Sequence, residues 1–456
     1  MKRILLLSGR YLRENTHREL RLKEILQNNY GYEVIFCLPS RQLNLNGYTD
    51  DMKDDPVFKE NGAIWLERIE DYEKQLRRCD AVVFGSWKSY DVLTQIAHLR
   101  GKPTINFNTT SGLDHWPHGV DLSCVKGPFA KRILLYLQDR LNNFGDLREE
   151  DIIITGSIIH EHYGGEKILD RDTFFGYYDI DPDVPVVVLF PKGIGSFRNK
   201  INAWFPNASH EEKEAYNKLM LDKYANICRA VKDSGCNLIV KMHPTAYTAY
   251  MCRSDEEYAY WNRFPWAKVL KPEHTYSCYK YATCGIGITT HSAMDMAYYN
   301  KPFIYVDSDK INPPEAIPFH VGHLCKLPKG PSSHWHTKPM EGVNPWFPSW
   351  LGYFCRVEEL STLIKEKVDK PIDPKDREMF IQEFWYKNDG RSSERIASVV
   401  SDYIERWDSR KRIRVLALAL KEESSVFLKN KYMLSRHIFN KFLEKVRNYI
   451  GRYTRI

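Results

Sequence analysis

A lysine and a histidine at the end of one hydrophobic run are the first residues whose types suggest chemistry. The apolar run 238–240, preceded by Asn237, leads through Lys241 to His243, and Pro244 follows. Because proline has no N–H to donate to a β-ladder, we expect a strand to end here and to place His243 at its carboxyl end. An ammonium and an imidazole at such a position can bind a phosphate or a ribose. The alternative is a histidine that caps the strand or packs in the core.

A second group of small polar residues follows the run 284–288. Thr290 and Ser292 form a hydroxyl-rich turn, directly after which a helix can begin. Parallel strands deliver their carboxyl ends to one edge of a sheet, so we expect both hydroxyls to face the same phosphate. Asp295 lies one helical turn beyond Ser292 and is a candidate catalytic residue that orients a hydroxyl or the neighbouring histidine. It can equally serve only to compensate the helix dipole.

Two further segments carry candidate residues. His118 has an imidazole that titrates near neutral pH and can remove a proton from a hydroxyl, which makes it the candidate catalytic base. There are two alternatives: His115 is equally available as the base, or His118 only caps or packs in a loop. A glycine-containing loop holds Lys192 and Arg198, whose cations either contact a phosphate or acidic group or lie in solvent.

Alternating strands and helices must position these residues. Apolar runs with strand character recur along the amino-terminal part of the chain, near residues 3–8, 32–38, 64–66, 81–84 and 104–107, with helical patterns between them. This alternation predicts an α/β fold built from parallel sheets and crossover helices. At 456 residues the chain fits two domains. A proline-containing linker places the boundary so that residues 1–180 and 185–408 each form a Rossmann-like domain.

Two helices of the second half have clear start signals. Ser209 and Glu212 form a capping box, and Gly235 supplies a residue that can adopt the left-handed conformation that ends a helix. Ser392 and Ser393 are predicted to cap a later helix whose inner face is apolar.

Composition and histidine spacing bear on metals and redox state. The ten cysteines form no C-x-x-C pair, which is typical of free thiols in a reducing cytosol. His334 and His336 lie in a segment rich in histidine and tryptophan, but their spacing is not that of a tetrahedral zinc site. We therefore expect no metal. The tryptophans of this segment either stack on sugar faces or pack in the ordinary way.

The basic charge of the chain is concentrated at its end. Residues 410–456 hold thirteen Lys or Arg and three Glu, a balance of +10, so the preceding 409 residues carry −3 of the net +7. The main body is therefore not expected to bind nucleic acid. Residues 409–456 are predicted to form a basic amphipathic helical appendage that lies on an anionic membrane surface, or else packs on the protein body. No apolar run is long enough to span a membrane or form a signal peptide, so we expect a cytoplasmic protein, peripheral on the inner face of the cell membrane.

The motif KMHP at 241–244 and the segment ITTHSAMDMAYYNKPFIYVD at 288–307 together resemble a known family. They are similar to the carboxyl-terminal domain of CDP-glycerol glycerophosphotransferases. They also resemble the capsule and lipopolysaccharide transferases that use CMP-linked acidic sugars of the Kdo or sialic acid type. The resemblance extends over residues 150–310 and includes segment 151–157, which is similar to the one that closes the first domain in that family.

This resemblance implies site roles and an architecture. In the family a His-Pro pair and a later serine-containing turn hold the donor's phosphates, which implies that role for His243, Thr290 and Ser292. Segment 116–119, Trp-Pro-His-Gly, resembles the family's Trp-His-Gly motif with an inserted proline, and implies His118 as the base. The implied architecture is GT-B: an acceptor-side first domain and a nucleotide-donor second domain whose sheets face a central cleft, with the last helix a candidate to cross back.

The resemblance further implies a metal-independent transferase of cell-envelope polysaccharide biosynthesis. It would move a sugar or a polyol phosphate from a cytidine-nucleotide donor to a glycan or lipid-linked acceptor, with no cofactor besides the donor. Phosphate contacts would come from His243, Thr290 and Ser292, joined by Lys241 and by the two cations of the glycine-containing loop. Two alternatives stay open: a nucleotide-sugar epimerase or hydrolase of the same fold, and a non-enzymatic, membrane-associated nucleotide- or glycan-binding protein.

Overall fold

The computed structural model describes residues 1–8, 13–40, 43, 53–85, 91–107, 120–131, 134–135, 147–158, 161, 168–191, 209–243, 254–288, 290, 292–306 and 352–407. The strands are β1 (Arg3–Leu7), β2 (Glu33–Pro39), β3 (Ile64–Leu66), β4 (Ala81–Gly85), β5 (Thr104–Phe107), β6 (Leu122–Val125), β7 (Ile152–Ile154), β8 (Val186–Leu189), β9 (Asn237–Val240), β10 (Ala267–Val269), β11 (Cys284–Gly287), β12 (Phe303–Val306) and β13 (Gly352–Cys355).

The α-helices are α1 (Arg13–Tyr30), α2 (Pro56–Glu60), α3 (Ile69–Leu76), α4 (Asp91–Leu99), α5 (Arg171–Tyr178), α6 (His210–Asp233), α7 (Ser254–Trp261), α8 (Thr275–Tyr281), α9 (Ser292–Tyr298), α10 (Leu360–Lys367), α11 (Pro374–Phe380) and α12 (Ser392–Arg406). Short 3-10 helices span Glu149–Asp151, Pro272–His274 and Val357–Glu359, and one π-helical turn spans Ile381–Trp385.

The strands form two separate parallel sheets. The first has the order β3-β2-β1-β4-β5-β6-β7, and the second has the order β10-β9-β8-β11-β12-β13. Every pairing within them is parallel. This confirms the predicted α/β class with two Rossmann-like sheets. In each sheet the strand order reverses beside its first strand, and the carboxyl edge at such a point is where α/β proteins bind ligands.

Helices cover both faces of each sheet. In β1, Ile4 and Leu6 belong to the core under α1 and α12, whereas Leu5 and Leu7 belong to the core on the other face. The second sheet repeats this pattern, with one face of β8 packed against α6 and the other against α8. Burial on both faces explains why these strands are continuously apolar rather than alternating.

The predicted start of α6 is confirmed. The Ser209 hydroxyl accepts a hydrogen bond from the Glu212 N–H at 3.1 Å, and the Glu212 carboxylate accepts one from the Ser209 N–H at 2.7 Å. Gly235 follows the helix with φ +74°, the left-handed conformation that glycine adopts without strain. Sequence determines this helix locally because both capping partners lie within one turn of each other.

The predicted cap of α12 is wrong. The residue before the helix is Arg391, which makes no capping bond from its side chain, and Ser392 and Ser393 are already helical. The Glu161 carboxylate provides the cap instead: it accepts hydrogen bonds from the Ser393 N–H and hydroxyl, and Arg21 donates to it at 3.1 Å. An acidic group at a helix amino terminus is favourable. This one lies 232 residues away in the chain, so no local pattern could reveal it.

Helix α12 follows the second sheet in the chain but packs on the first. Its buried residues Ile396, Val400 and Ile404 share a core with Leu22 and Leu26 of α1. Polar contacts reinforce the packing: the Tyr32 and Ser401 hydroxyls lie 2.9 Å apart, and Lys2 pairs with Glu405 at 2.7 Å. The last described helix therefore ties the carboxyl-terminal part of the chain to the amino-terminal sheet.

The segment 374–385 makes a second connection between the two halves. The Arg377 guanidinium donates to the carbonyls of Ala297 and Tyr298, at 3.1 and 2.7 Å, at the end of α9. The Phe384 ring stacks on Phe129 with centroids 4.7 Å apart, in the core of the first sheet. The segment 374–385 therefore contacts both the end of α9 and the core of the first sheet.

Glu161→Gln is expected to remove a pH dependence of stability. Burial raises the pKa of Glu161, and its bonds with Ser393 and Arg21 offset part of that rise. The folded protein then binds the Glu161 proton more tightly than the unfolded chain does. The free energy of unfolding therefore falls as pH rises from the ordinary pKa of 4.5 through the higher pKa of the folded state. Urea unfolding at several pH values between about pH 4 and pH 7 measures the slope of the free energy of unfolding against pH.

Glu405→Gln is the matched control at the other end of α12. A hydrogen bond from Lys2 lowers the pKa of Glu405, so its contribution is present above the ordinary pKa and is lost as pH falls. The two variants should change the slope with opposite signs. Identical slopes for the wild type and Glu161→Gln would contradict the assignment.

No described helix is both long enough and apolar enough to cross a bilayer. The predicted domain boundaries and the basic appendage at 409–456 stay predictions, and residues 408–456 lie outside the described part of the chain.

Candidate functional site

The carboxyl edge of the second sheet brings the main predicted residues to one place. Lys241 and His243 follow β9, and Thr290 and Ser292 follow β11. Strand β8 lies between and pairs in parallel with both, so all three strands end at the same edge. The ends of β9 and β11 are thus two strand spacings apart, about 10 Å. The His243, Thr290 and Ser292 side chains are all partly exposed there.

Tyr279 of α8 lies beneath these residues and connects the two strand ends. Its hydroxyl donates to the Asp295 carboxylate at 3.1 Å and lies 3.5 Å from the Ser292 hydroxyl. The Lys241 ammonium lies 5.9 Å from the centroid of its ring, at the range of a cation–π contact. Sequence reasoning missed Tyr279, although a buried tyrosine hydroxyl needs a partner and so hints at a polar network.

Lys241 has an environment that favours an anionic ligand. The residue is only 8% exposed, and among the described residues no carboxylate lies within ion-pair distance of its ammonium. The nearby Cys278 thiol does not balance the charge, because burial raises its pKa to about 12 and keeps it protonated. Burying an ammonium without a counter-charge is costly, so a bound anion would be stabilising here.

The turn after β11 is built around small residues. The Thr290 hydroxyl oxygen accepts a hydrogen bond from the Ser292 N–H at 3.1 Å, which leaves its own proton available for another acceptor. A Cβ at Gly287 would lie 2.9 Å from the Thr290 methyl, and one at Gly285 would lie 2.9 Å from the side chain of Met296 in α9. The two glycines therefore let the turn and α9 lie directly on the sheet.

Asp295 is placed by the structure on the inner side of this site. It is 8% exposed and accepts the Tyr279 hydroxyl, so it orients a hydroxyl from below. Its catalytic role stays a prediction, and the neighbouring His291 lies outside the described residues.

Several predicted residues cannot be placed. His118, His115, Lys192 and Arg198 lie outside the described residues, as does the histidine-rich segment 307–351. Among described residues, no group of three or more His, Cys, Asp or Glu could hold a metal ion.

Asp121, which the structure does describe, follows the Trp-Pro-His-Gly segment and lies at the amino-terminal edge of the first sheet, beside the start of β5. Its carboxylate accepts from the Thr104 N–H at 2.7 Å and lies 3.1 Å from the His98 ring nitrogen. The reason is topological: after a parallel strand the chain must return to the opposite edge before the next one begins.

The first sheet contributes a polar cluster of its own at the carboxyl end of β1. The fully buried Ser8 hydroxyl donates to the Glu19 carboxylate, and a Cβ at Gly85 would lie 2.1 Å from that carboxylate. The preceding residue of the helix, Arg18, reaches the Tyr276 hydroxyl of α8 at 3.5 Å. Helix α8 thus contacts the first domain one turn before it presents Tyr279 to the second.

Comparison with known proteins places the fold. No family model matches the chain, and no curated protein matches its sequence. Solved structures do match: the wall teichoic acid polymerase TagF has 13% identity, covers 89% of each chain and gives a TM-score of 0.51. A TagF variant soaked with CDPG is also among the matching structures. The structure of S. aureus MnaA with UDP has 12% identity and a TM-score of 0.51, and the match covers 89% of this chain and 97% of that one.

A third match is the UDP-GlcNAc 2-epimerase of Methanocaldococcus jannaschii, with 12% identity, 88% of this chain and 100% of that one covered, and a TM-score of 0.50. Likeness at this level of identity shows the fold. The chain has a GT-B fold of two Rossmann-like domains, as the family resemblance implied.

Proposed function

We propose that the protein is a metal-independent GT-B transferase that binds a nucleotide-activated donor at the carboxyl edge of its second sheet. The observation that carries the proposal is the ammonium of the buried residue Lys241, which has no carboxylate partner among the described residues and lies at the same sheet edge as the turn that offers the Thr290 and Ser292 hydroxyls. A fixed cation and hydroxyl donors suit the phosphate of a leaving nucleotide, because they stabilise the charge that develops as its bond breaks. His243, partly exposed at the same edge, would add a third contact.

The proposed donor carries cytidine, and the proposed group transferred is a sugar, such as a Kdo-like acidic sugar, or a polyol phosphate. The resemblance of segments 241–244 and 288–307 to cytidine-nucleotide transferases supports this choice. The TagF variant soaked with CDPG is consistent with it. The acceptor would be a glycan or a lipid-linked glycan of the cell envelope, with His118 as its base and Lys192 or Arg198 as further phosphate contacts.

A nucleotide-sugar epimerase or hydrolase is the second candidate. It is favoured by the likeness to MnaA and to the 2-epimerase, whose chains are covered almost completely. Such an enzyme would convert its nucleotide sugar with no acceptor present. The transferase should instead release CMP or CDP in proportion to acceptor, and a binding protein without activity should release neither.

A nucleotide-binding panel tests the proposal directly. Titration calorimetry with CMP, CDP, UDP and GDP is expected to show the tightest binding for a cytidine nucleotide, and His243→Ala is expected to weaken it by about tenfold. Preference for UDP or GDP would overturn the cytidine assignment. Failure of all four to bind would overturn the donor site itself.

We propose that the protein lies at the cytoplasmic face of the cell membrane and that the basic appendage at 409–456 binds it there. Vesicle flotation with anionic lipid should retain the intact chain and lose a chain ended at Ser409. Equal flotation of both would contradict this role.

A further inference from the structure

We propose that Tyr279 and Asp295 are positioning residues that act through Ser292 on the donor phosphate. This inference rests on the proposed function. It adds the residues that hold the Ser292 hydroxyl in position. Three contacts carry it: the hydroxyl of Tyr279 to Asp295 at 3.1 Å, the same hydroxyl to Ser292 at 3.5 Å, and its ring to the Lys241 ammonium at 5.9 Å.

The direction of the hydrogen bonds follows from chemistry. An ionised carboxylate can only accept, so the single phenolic proton of Tyr279 is donated to Asp295. The same phenolic O–H is also directed at the Ser292 oxygen at 3.5 Å, so Tyr279 is the donor in both contacts and the Ser292 oxygen accepts. The Ser292 hydroxyl therefore keeps its own proton to donate, and an anionic phosphate is a strong acceptor for it.

The Tyr279 ring is held as firmly as its hydroxyl. It stacks on Phe190 at 5.8 Å and on Tyr299 at 6.3 Å, and the whole side chain is buried. One rigid side chain thus supports a cation over its face and a hydroxyl at its edge. Donors that are held in place before the ligand arrives lose little conformational entropy on binding, which increases affinity.

Burial separates the supporting residues from those that would touch the donor. Ser292 is partly exposed, whereas Tyr279 and Asp295 are 3% and 8% exposed and lie under it. A ligand at the edge of the sheet would therefore contact Ser292 but not the pair beneath. Asp295 is accordingly assigned here a role in orientation rather than in direct contact with the donor.

A double-mutant cycle between Tyr279 and Ser292 tests the inference. Ser292→Ala is expected to weaken CMP binding by about tenfold, the effect of losing one hydrogen bond to a charged group. Tyr279→Phe keeps the stacked ring and should weaken binding by about fivefold. If Tyr279 acts through Ser292, the double variant binds no more weakly than Ser292→Ala alone.

Three further variants separate positioning from general structure. Asp295→Ala removes the acceptor of the phenolic proton and should weaken CMP binding by about as much as Tyr279→Phe, whereas Asp295→Asn retains an accepting oxygen and should restore most of the affinity. Tyr281→Phe is the matched control, because the Tyr281 hydroxyl lies on the same helix but donates to the Leu169 carbonyl at 2.8 Å. It should leave the affinity unchanged.

The outcomes distinguish this inference from the proposed function. If the wild type binds no nucleotide, the proposed function fails. If the wild type binds CMP but the effects of Tyr279→Phe and Ser292→Ala simply add, or Tyr279→Phe lowers only the unfolding temperature, the donor site stands and the positioning role is lost.

Discussion

Lys241→Met is expected to weaken binding of CMP by about 100-fold and, at the same time, to leave the ligand-free protein at least as stable as the wild type. Methionine is close to lysine in length and unbranched, so it can occupy the same buried space. Loss of a charge-assisted bond to a phosphate costs about 1.5–3 kcal/mol, and loss of the long-range attraction adds to this. Lys241 is 8% exposed and its ammonium lacks a carboxylate partner among the described residues, so its removal also relieves a desolvation cost.

Opposite effects on affinity and stability are the signature of a residue that serves a ligand rather than the fold. Calorimetric titration with CMP and thermal unfolding without ligand measure the two effects. Lys268→Met is the control, since Lys268 lies in the same sheet but is half-exposed and pairs with Asp179 at 3.5 Å. It should change neither quantity by more than about 0.5 kcal/mol. Unchanged CMP affinity in Lys241→Met would remove the observation on which the proposed function depends.

Trp385→Ala is expected to lower the free energy of unfolding by about 3–5 kcal/mol, the range for removing a large aromatic side chain from a core. Trp385 is 1% exposed, with its ring 4.7 Å from Phe380 and 5.7 Å from Tyr298. It lies in the cluster that joins the segment 374–385 to α9 and to the core of the first sheet. Its loss therefore weakens a contact between the two halves of the chain as well as creating a cavity.

Urea unfolding of Trp385→Ala and of a matched variant checks this result. Met379→Ala removes an apolar side chain from the same segment, but Met379 is 44% exposed and should cost less than about 1 kcal/mol. Similar losses for the two variants would mean that the cluster around Trp385 contributes little to joining the halves.

The sequence by itself determined the elements whose signals are local. The capping box of Ser209 and Glu212 acts within a single turn, and continuous apolar runs define β8, β9, β11 and β12 because each strand is buried on both faces. The residues that end a strand are also recognised from the nearby sequence. The parallel topology then brings Lys241, Ser292 and their neighbours to one edge of the sheet. The α/β class with parallel sheets and the location of the candidate site could therefore be predicted from residue patterns, and the GT-B arrangement was implied by the family resemblance.

Tertiary structure alone decided which side chains meet across long separations. Tyr279 joins Asp295 from another helix, and Glu161 caps α12 from 232 residues away, where the sequence indicated two serines. The same holds for the packing of α12 on the first sheet. Such contacts depend on how helices are oriented on their sheets, and the periodicity of one segment carries no information about its distant partner. Hydrophobic patterning specifies that a face is buried, and only the assembled fold specifies against what.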